Sequence, residues 1–142
     1  GHFLFVLNLY FFINNQLLNY YGNSEDVIIP EGVITISTDA FSKNRTIRSV
    51  TCPSSLHNIG ISAFSDCVNL SDIKLSNKIG YISNHAFSGC ESLLSVELPD
   101  SIELIGRNAF DQETTVIYNG NNPFIIDLIK NHFTKYILNN SN

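Results

Sequence analysis

Residues 52–74 read CPSSLHNIGISAFSDCVNLSDIK, and the next 23 residues, 75–97, read LSNKIGYISNHAFSGCESLLSVE. Set one above the other, they match without a gap at Ile59/Ile82, Ala63/Ala86, Phe64/Phe87, Cys67/Cys90, Leu70/Leu93 and Ile73/Val96. The same spacing runs upstream into 29–51 (IPEGVITISTDAFSKNRTIRSVT) and downstream into 98–120 (LPDSIELIGRNAFDQETTVIYNG). Four tandem units of 23 residues result, with Ala-Phe recurring at 40–41, 63–64, 86–87 and 109–110. A unit this short cannot bury an apolar face by itself. It must stack on its neighbours, which makes a solenoid with one continuous core.

The apolar columns say how each coil is built. Val33, Leu56, Ile79 and Ile102 form one column, and Ile36, Ile59, Ile82 and Ile105 a second. Ile47, Leu70, Leu93 and Val116 are read as a third, Val50, Ile73 and Val96 as a fourth, and Ile29, Cys52, Leu75 and Leu98 as a fifth. Phe41, Phe64, Phe87 and Phe110 belong to the same repeating core. The last three columns are spaced L-x-x-I-x-L, as in LSDIKL (70–75) and LLSVEL (93–98). The closing alternation is strand periodicity, so strands of successive coils are expected to lie parallel, about 4.8 Å apart.

This pattern resembles the BspA-like leucine-rich repeat family. The L-x-x-I-x-L strand, the Pro at 30, 53 and 99, the IG..AF..C..L half and the 23-residue period carry the resemblance from Ile29 to about Tyr118. It implies an α/β-type leucine-rich repeat solenoid, β-rich, as a right-handed curved stack with a concave parallel sheet. Departures are modest. Asn44 and Glu113 stand where Cys67 and Cys90 recur, and Ser37 and Ser83 replace the Gly seen at Gly60 and Gly106.

Solenoid ends need covering, because an open last coil exposes apolar surface and sheet edges. Upstream, FFINNQLLNYYGNSEDVIIP (11–30) reads as strand, Asn-Asn turn, strand, Gly-Asn turn, strand. Downstream, Asn122-Pro123 predicts a helix start, with Ile125, Leu128, Ile129 and Phe133 at helical spacing. KYIL (135–138) then suggests a closing strand before a polar tail. The expected division is an N-terminal β cap over 1–28, four repeats over 29–120, and a helix-and-strand cap over 121–142.

Composition narrows the function classes. Hydrophobic residues make up 44% and charged residues 15%, a balance that folds rather than stays disordered. Net charge is −5 and the eight basic residues are scattered, so no stripe exists to neutralise nucleic-acid phosphates. The run FLFVLNLYFFI (3–13) is far short of the ~20 residues a membrane helix needs. Its composition favours buried strand over a signal-peptide remnant. With Gly1-His2 in front and no Met anywhere, a processed or excised piece of a longer chain is expected.

No chemistry-bearing constellation emerges. Cys67 and Cys90 share one repeat position and Cys52 sits in an Ile/Leu column, which reads as a core ladder of small hydrophobes. A Cys67–Cys90 disulfide is the alternative, since stacking brings equivalent Cα atoms to roughly 5 Å; metal binding or catalysis is a remote third. His85 shares a consistently polar, and so solvent-facing, column with Asp39, Ser62 and Asn108. His57, His2 and His132 have no ligand spacing to another His, Cys or carboxylate. No phosphate-binding glycine loop or G-x-S-x-G is present. N-x-[ST] sequons at Asn44, Asn69 and Asn139 gain meaning only if the chain is secreted.

An enzyme is not expected, and no cofactor, metal, nucleic acid or small-molecule substrate; a membrane is reached only through a parent segment outside this chain. What fits is a rigid repeat surface that binds protein. On the concave face the outward residues would be Ser49, Thr51, Asp72, Lys74, Ser95 and Glu97, small and mixed in charge. The family resemblance implies a cell-surface or secreted setting and adhesion to host proteins or other cells. The alternative is an intracellular or structural scaffold segment within a larger repeat protein.

Overall fold

The computed structural model describes residues 4–7 and 9–139. The chain opens with an antiparallel meander of β1 (Leu4–Leu7), β2 (Tyr10–Ile13) and β3 (Gln16–Tyr20). Asn14 turns the second hairpin at φ 54°, a left-handed conformation that Asn tolerates. Each coil then gives two short strands. They are β4 (Asp26–Ile28) and β5 (Thr35–Ile36), then β6 (Ser49–Thr51) and β7 (Asn58–Ile59). β8 (Asp72–Lys74) and β9 (Tyr81–Ile82) follow, then β10 (Ser95–Leu98) and β11 (Leu104–Ile105). β12 (Thr115–Tyr118), helix α1 (Pro123–His132) and β13 (Tyr136–Leu138) complete the chain.

The L-x-x-I-x-L segments do form parallel strands, stacked coil on coil as the solenoid the sequence implied. Asp26, Ser49 and Asp72 stand in register, as do Ile28, Thr51 and Lys74. The ladder is not continuous, however. β4, β6 and β8 make one sheet and β10, β12 and β13 another. The Cys52 amide donates to Lys74 O at 3.0 Å, and Ile29 to Thr51 O likewise. Leu75, the equivalent residue of the next coil, makes no such bond, so a seam separates β8 from β10.

A second parallel ladder, β3-β5-β7-β9-β11, was not expected from the sequence. Beyond β3 its strands are two residues long and carry the buried Ile36, Ile59, Ile82 and Ile105 column. Between the ladders lies the core. Phe41, Phe64, Phe87 and Phe110 stack with centroids 4.8, 5.1 and 5.1 Å apart and planes within 8° of parallel. All four rings are buried, and each such burial contributes about 1.5–3 kcal/mol. Leu70, Leu93, Ile73 and Val96 fill the rest of the L-x-x-I-x-L columns.

The fourth unit departs from the ungapped period. Val116 was read in the Leu93 column, yet it pairs with Val96, and Tyr118 pairs with Leu98. The corner after Phe110 is three residues shorter than in the other coils. Glu113 consequently lies out of the Cys67/Cys90 position, exposed and ion-paired to Lys135 at 2.6 Å. Helix α1 starts where Asn122-Pro123 placed it: Asn122 Oδ1 accepts from the Phe124 amide at 3.0 Å, with Pro123 at the first helical position. Ile125 and Ile129 are buried against the last coil, and Phe133 leans on Phe110 at 6.3 Å.

Candidate functional site

A polar ladder pins coil to coil. Ser55, Ser71, Ser92 and Ser101 hydroxyls donate to carbonyls of the preceding coil, those of Val33, Arg48, Val68 and Ile79. Glu31 accepts from both the amide and hydroxyl of Ser54, which holds its carboxyl below the usual range. Among the described residues every buried polar side chain has a partner. The surface groups therefore ride on a stiff frame rather than on long loops.

The six residues expected on the outward face lie on β6, β8 and β10. Thr51, Asp72, Lys74, Ser95 and Glu97 are exposed and Ser49 half-buried. Ser49 faces Asp72 and Thr51 faces Lys74 across the β6–β8 pair. Both ends of this row are tied: Ser49 Oγ donates to Asp26 Oδ1 at 2.6 Å, and Asn119 Nδ2 to Glu97 Oε1 at 3.0 Å. The seam between β8 and β10 opens into a shallow depression of about 810 Å³. Asp72, Glu97 and Asp100 line it against a single lysine, Lys74, so its charge leans negative.

The second ladder carries the apolar groups that the first lacks, and the sequence reading missed it. Thr35, Asn58, Tyr81 and Leu104 form its outward row, above a floor of Ser37, Gly60, Ser83 and the rim of Gly106, in a trough of about 610 Å³. Tyr81, Leu104 and Ile61 are exposed. Tyr81 OH donates to Glu103 Oε2 at 2.8 Å, which raises the phenol's pKa. The His57 and Tyr81 rings meet nearly perpendicular, 5.2 Å apart, and His57 bonds Lys78 O through Nδ1 at 2.8 Å. A carbonyl only accepts, so Nδ1 carries the proton. A Cβ at Gly80 would meet the His57 ring at 2.7 Å, and glycine there makes its seat.

The thiols are buried and free. Cys67 Sγ donates to Phe41 O and Cys90 Sγ to Phe64 O, both at 3.1 Å. Burial pushes the Cys52 and Cys67 thiols up to about 12, and Cys90 upward as well. Thiolates are the reactive form, so burial holds these cysteines in the less reactive thiol form. Asn44, which replaces cysteine in the first coil, instead accepts from the Thr46 and Ile47 amides and closes the corner itself.

The polar column of His85 has a backbone cause. Asp39, Ser62, His85 and Asn108 have φ of 61, 55, 59 and 53°, and Lys43, Asp66 and Gly89 repeat the left-handed conformation at 64, 60 and 80°. Short polar residues and glycine tolerate that region best. Asp39 and Asn108 are exposed there, and Ser62 and His85 half-buried. Among the described residues no three His, Cys, Asp or Glu side chains gather as metal ligands. No helix there is long and apolar enough to cross a membrane.

Comparison with known proteins agrees with this architecture. The model of the BspA type leucine rich repeat region matches residues 12–138 in six copies, taking in β2 and β13 as well as the four units. A leucine-rich cell surface protein from Faecalibacterium prausnitzii is similar in structure at TM-score 0.75 and 28% identity, over 80% of this chain and 33% of that one. A leucine-rich repeat protein from Bacteroides capillosus gives 0.72 and 29%, over 82% of this chain and 99% of that one. The leucine rich repeat protein of T. pallidum gives 0.65 and 27%, over 74% and 56%. The chain thus spans a third to just over half of the first and third of these. No match was found among curated protein sequences.

Proposed function

Because the chain belongs to the BspA-type leucine-rich repeat family, we propose that it is a non-catalytic module that binds another protein through its rigid ladder surface. The observation that carries this reading is the seam between β8 and β10. There Asp72, Lys74, Ser95 and Glu97 line an open, negatively leaning depression where the first ladder breaks. Its complement is a protein surface rich in Lys and Arg, and such charge matching sets partner choice and encounter rate. Of the expected caps, 1–28 and 121–142, residues 4–7, 9–28 and 121–139 cover the ends of the 29–120 array, while 1–3, 8 and 140–142 lie outside the described residues.

The setting we propose is the cell surface, with adhesion to host proteins or to other cells. The likeness to a cell surface protein of F. prausnitzii supports it. The alternative is an intracellular or structural scaffold segment in a larger repeat protein. Surface labelling of the intact parent in living cells separates the two. Immobilised protein is then offered matrix and host-cell surface extracts, with an Asp72→Lys/Glu97→Lys double variant alongside. A captured protein that the double variant releases fits the reading. Equal capture by both defeats it.

A further inference from the structure

The second ladder ends without a next strand. In the third unit the His85 and Phe87 amides donate forward to Arg107 O and Ala109 O, at 2.9 and 2.7 Å. Their counterparts in the fourth, the amides of Asn108 and Phe110, meet no further coil, because β11 is the edge of its sheet. Where the next coil would lie, α1 and Phe133 lean across and leave a cavity of about 250 Å³. Ile105, Phe110, Leu128 and Phe133 supply apolar wall, while Arg107 and His132 supply nitrogen donors.

Its charge runs against the rest of the chain. Net charge is −5, yet no residue lining this cavity is acidic. Among the described residues the ion pairs are Arg48–Glu25 and Lys135–Glu113, so the Arg107 guanidinium is uncommitted. The C-terminal end of α1 carries partial negative charge, which Lys130 in its last turn offsets. An apolar slot with a free guanidinium and two forward-facing amides suits a carboxylate attached to an apolar group.

We propose that this cavity binds the C-terminus of a partner polypeptide. Its α-carboxylate meets Arg107 and the Asn108 and Phe110 amides, and its apolar last side chain lies between Leu128 and Phe133. Capture of a terminal carboxylate by backbone amides and pairing along a free sheet edge are established ways of holding a peptide. Size favours one terminal residue over a long acyl chain, since drug-sized ligands need pockets of about 300–1,000 Å³. The site shares no lining residue with the seam depression, so either can fail without the other.

The test is fluorescence polarisation on the 142-residue protein, with a labelled, uncharged pentapeptide ending in leucine. It is offered as the free acid and as the C-terminal amide, with octanoate as competitor. The free acid should bind, with the amide about 10-fold weaker, and Arg107→Gln should weaken the acid about 10-fold while leaving the amide alone. Capture through Asp72 and Glu97 should not change in Arg107→Gln. Equal binding of acid and amide, or no binding of the acid at millimolar concentration, overturns the proposal. So does octanoate that binds as tightly as the peptide, which would mark an acyl-carboxylate site instead.

Discussion

Val96 stands opposite Val116 across the β10–β12 ladder, with Leu98 opposite Tyr118 two residues on. That register takes Glu113 out of the buried cysteine column and leaves it on the surface beside Lys135. It makes the two positions respond in opposite ways. Val116→Asp buries an unpaired carboxylate and should destabilise by about 3 kcal/mol or more. Glu113→Ala should leave the urea midpoint nearly unchanged, because its ion pair is exposed. Val116 is buried in either register, so Glu113 decides: a large loss of stability from Glu113→Ala would return it to the buried cysteine column and restore the ungapped register.

The thiols make stability fall in alkali. Cys67 ionises at about 12 in the fold, against an ordinary value of 9.0. Below 9 both folded and unfolded chains hold the proton, and the stabilisation from the neutral buried thiol is complete. Between about 9 and about 12 the unfolded chain loses the proton and the folded one keeps it, so stability declines as pH rises. Urea titrations across that window should show a shallower decline in Cys67→Val than in the parent. Cys52 repeats the effect, also at about 12. Thiol reagent at neutral pH should label the native protein slowly, and rapid labelling of Cys67 and Cys90 would contradict the packing.

His85 is held at φ 59°, and its column repeats that conformation in all four units. His85→Gly should be neutral or slightly stabilising, whereas His85→Ile should cost about 1–2 kcal/mol through left-handed strain. Thermal denaturation of the two variants reads the difference. Equal midpoints would mean the column is polar only for solvation.

Removing residues 121–142 should expose the β11 edge, the β12 edge and the Phe110 ring. The truncated chain is expected to aggregate on size-exclusion chromatography, whereas the parent runs as a discrete species. A soluble truncation of equal stability would show that α1 and β13 do not act as a cap.

The repeat was legible because stacking forces the same side chain to the same place in every coil. The Ile36/Ile59/Ile82/Ile105 column and the Phe stack could be listed from sequence and are buried in the fold. The short fourth corner was not legible, since Val116 is apolar and satisfies either column. Nor was the second ladder, whose two-residue strands show no alternation to read. Its one sequence signal was an unvarying Ile after a varied residue at Thr35, Asn58, Tyr81 and Leu104. The outward row Ser49 to Glu97 was found by strand alternation. The seam through it was hidden, because a break in backbone bonding between Leu75 and Glu97 leaves no mark in residue type.

That seam is where binding is expected, and amide hydrogen exchange reads it most directly. The protein is measured alone and with its captured partner. Free, the amides of Leu75 and Ser95 should exchange faster than that of Cys52, which is bonded to Lys74 O. With the partner, protection should rise over Asp72–Leu75 and Ser95–Leu98 and leave β5, β7 and β9 unchanged. Protection that falls on the Tyr81 and Leu104 row instead, with the seam unchanged, would contradict the account.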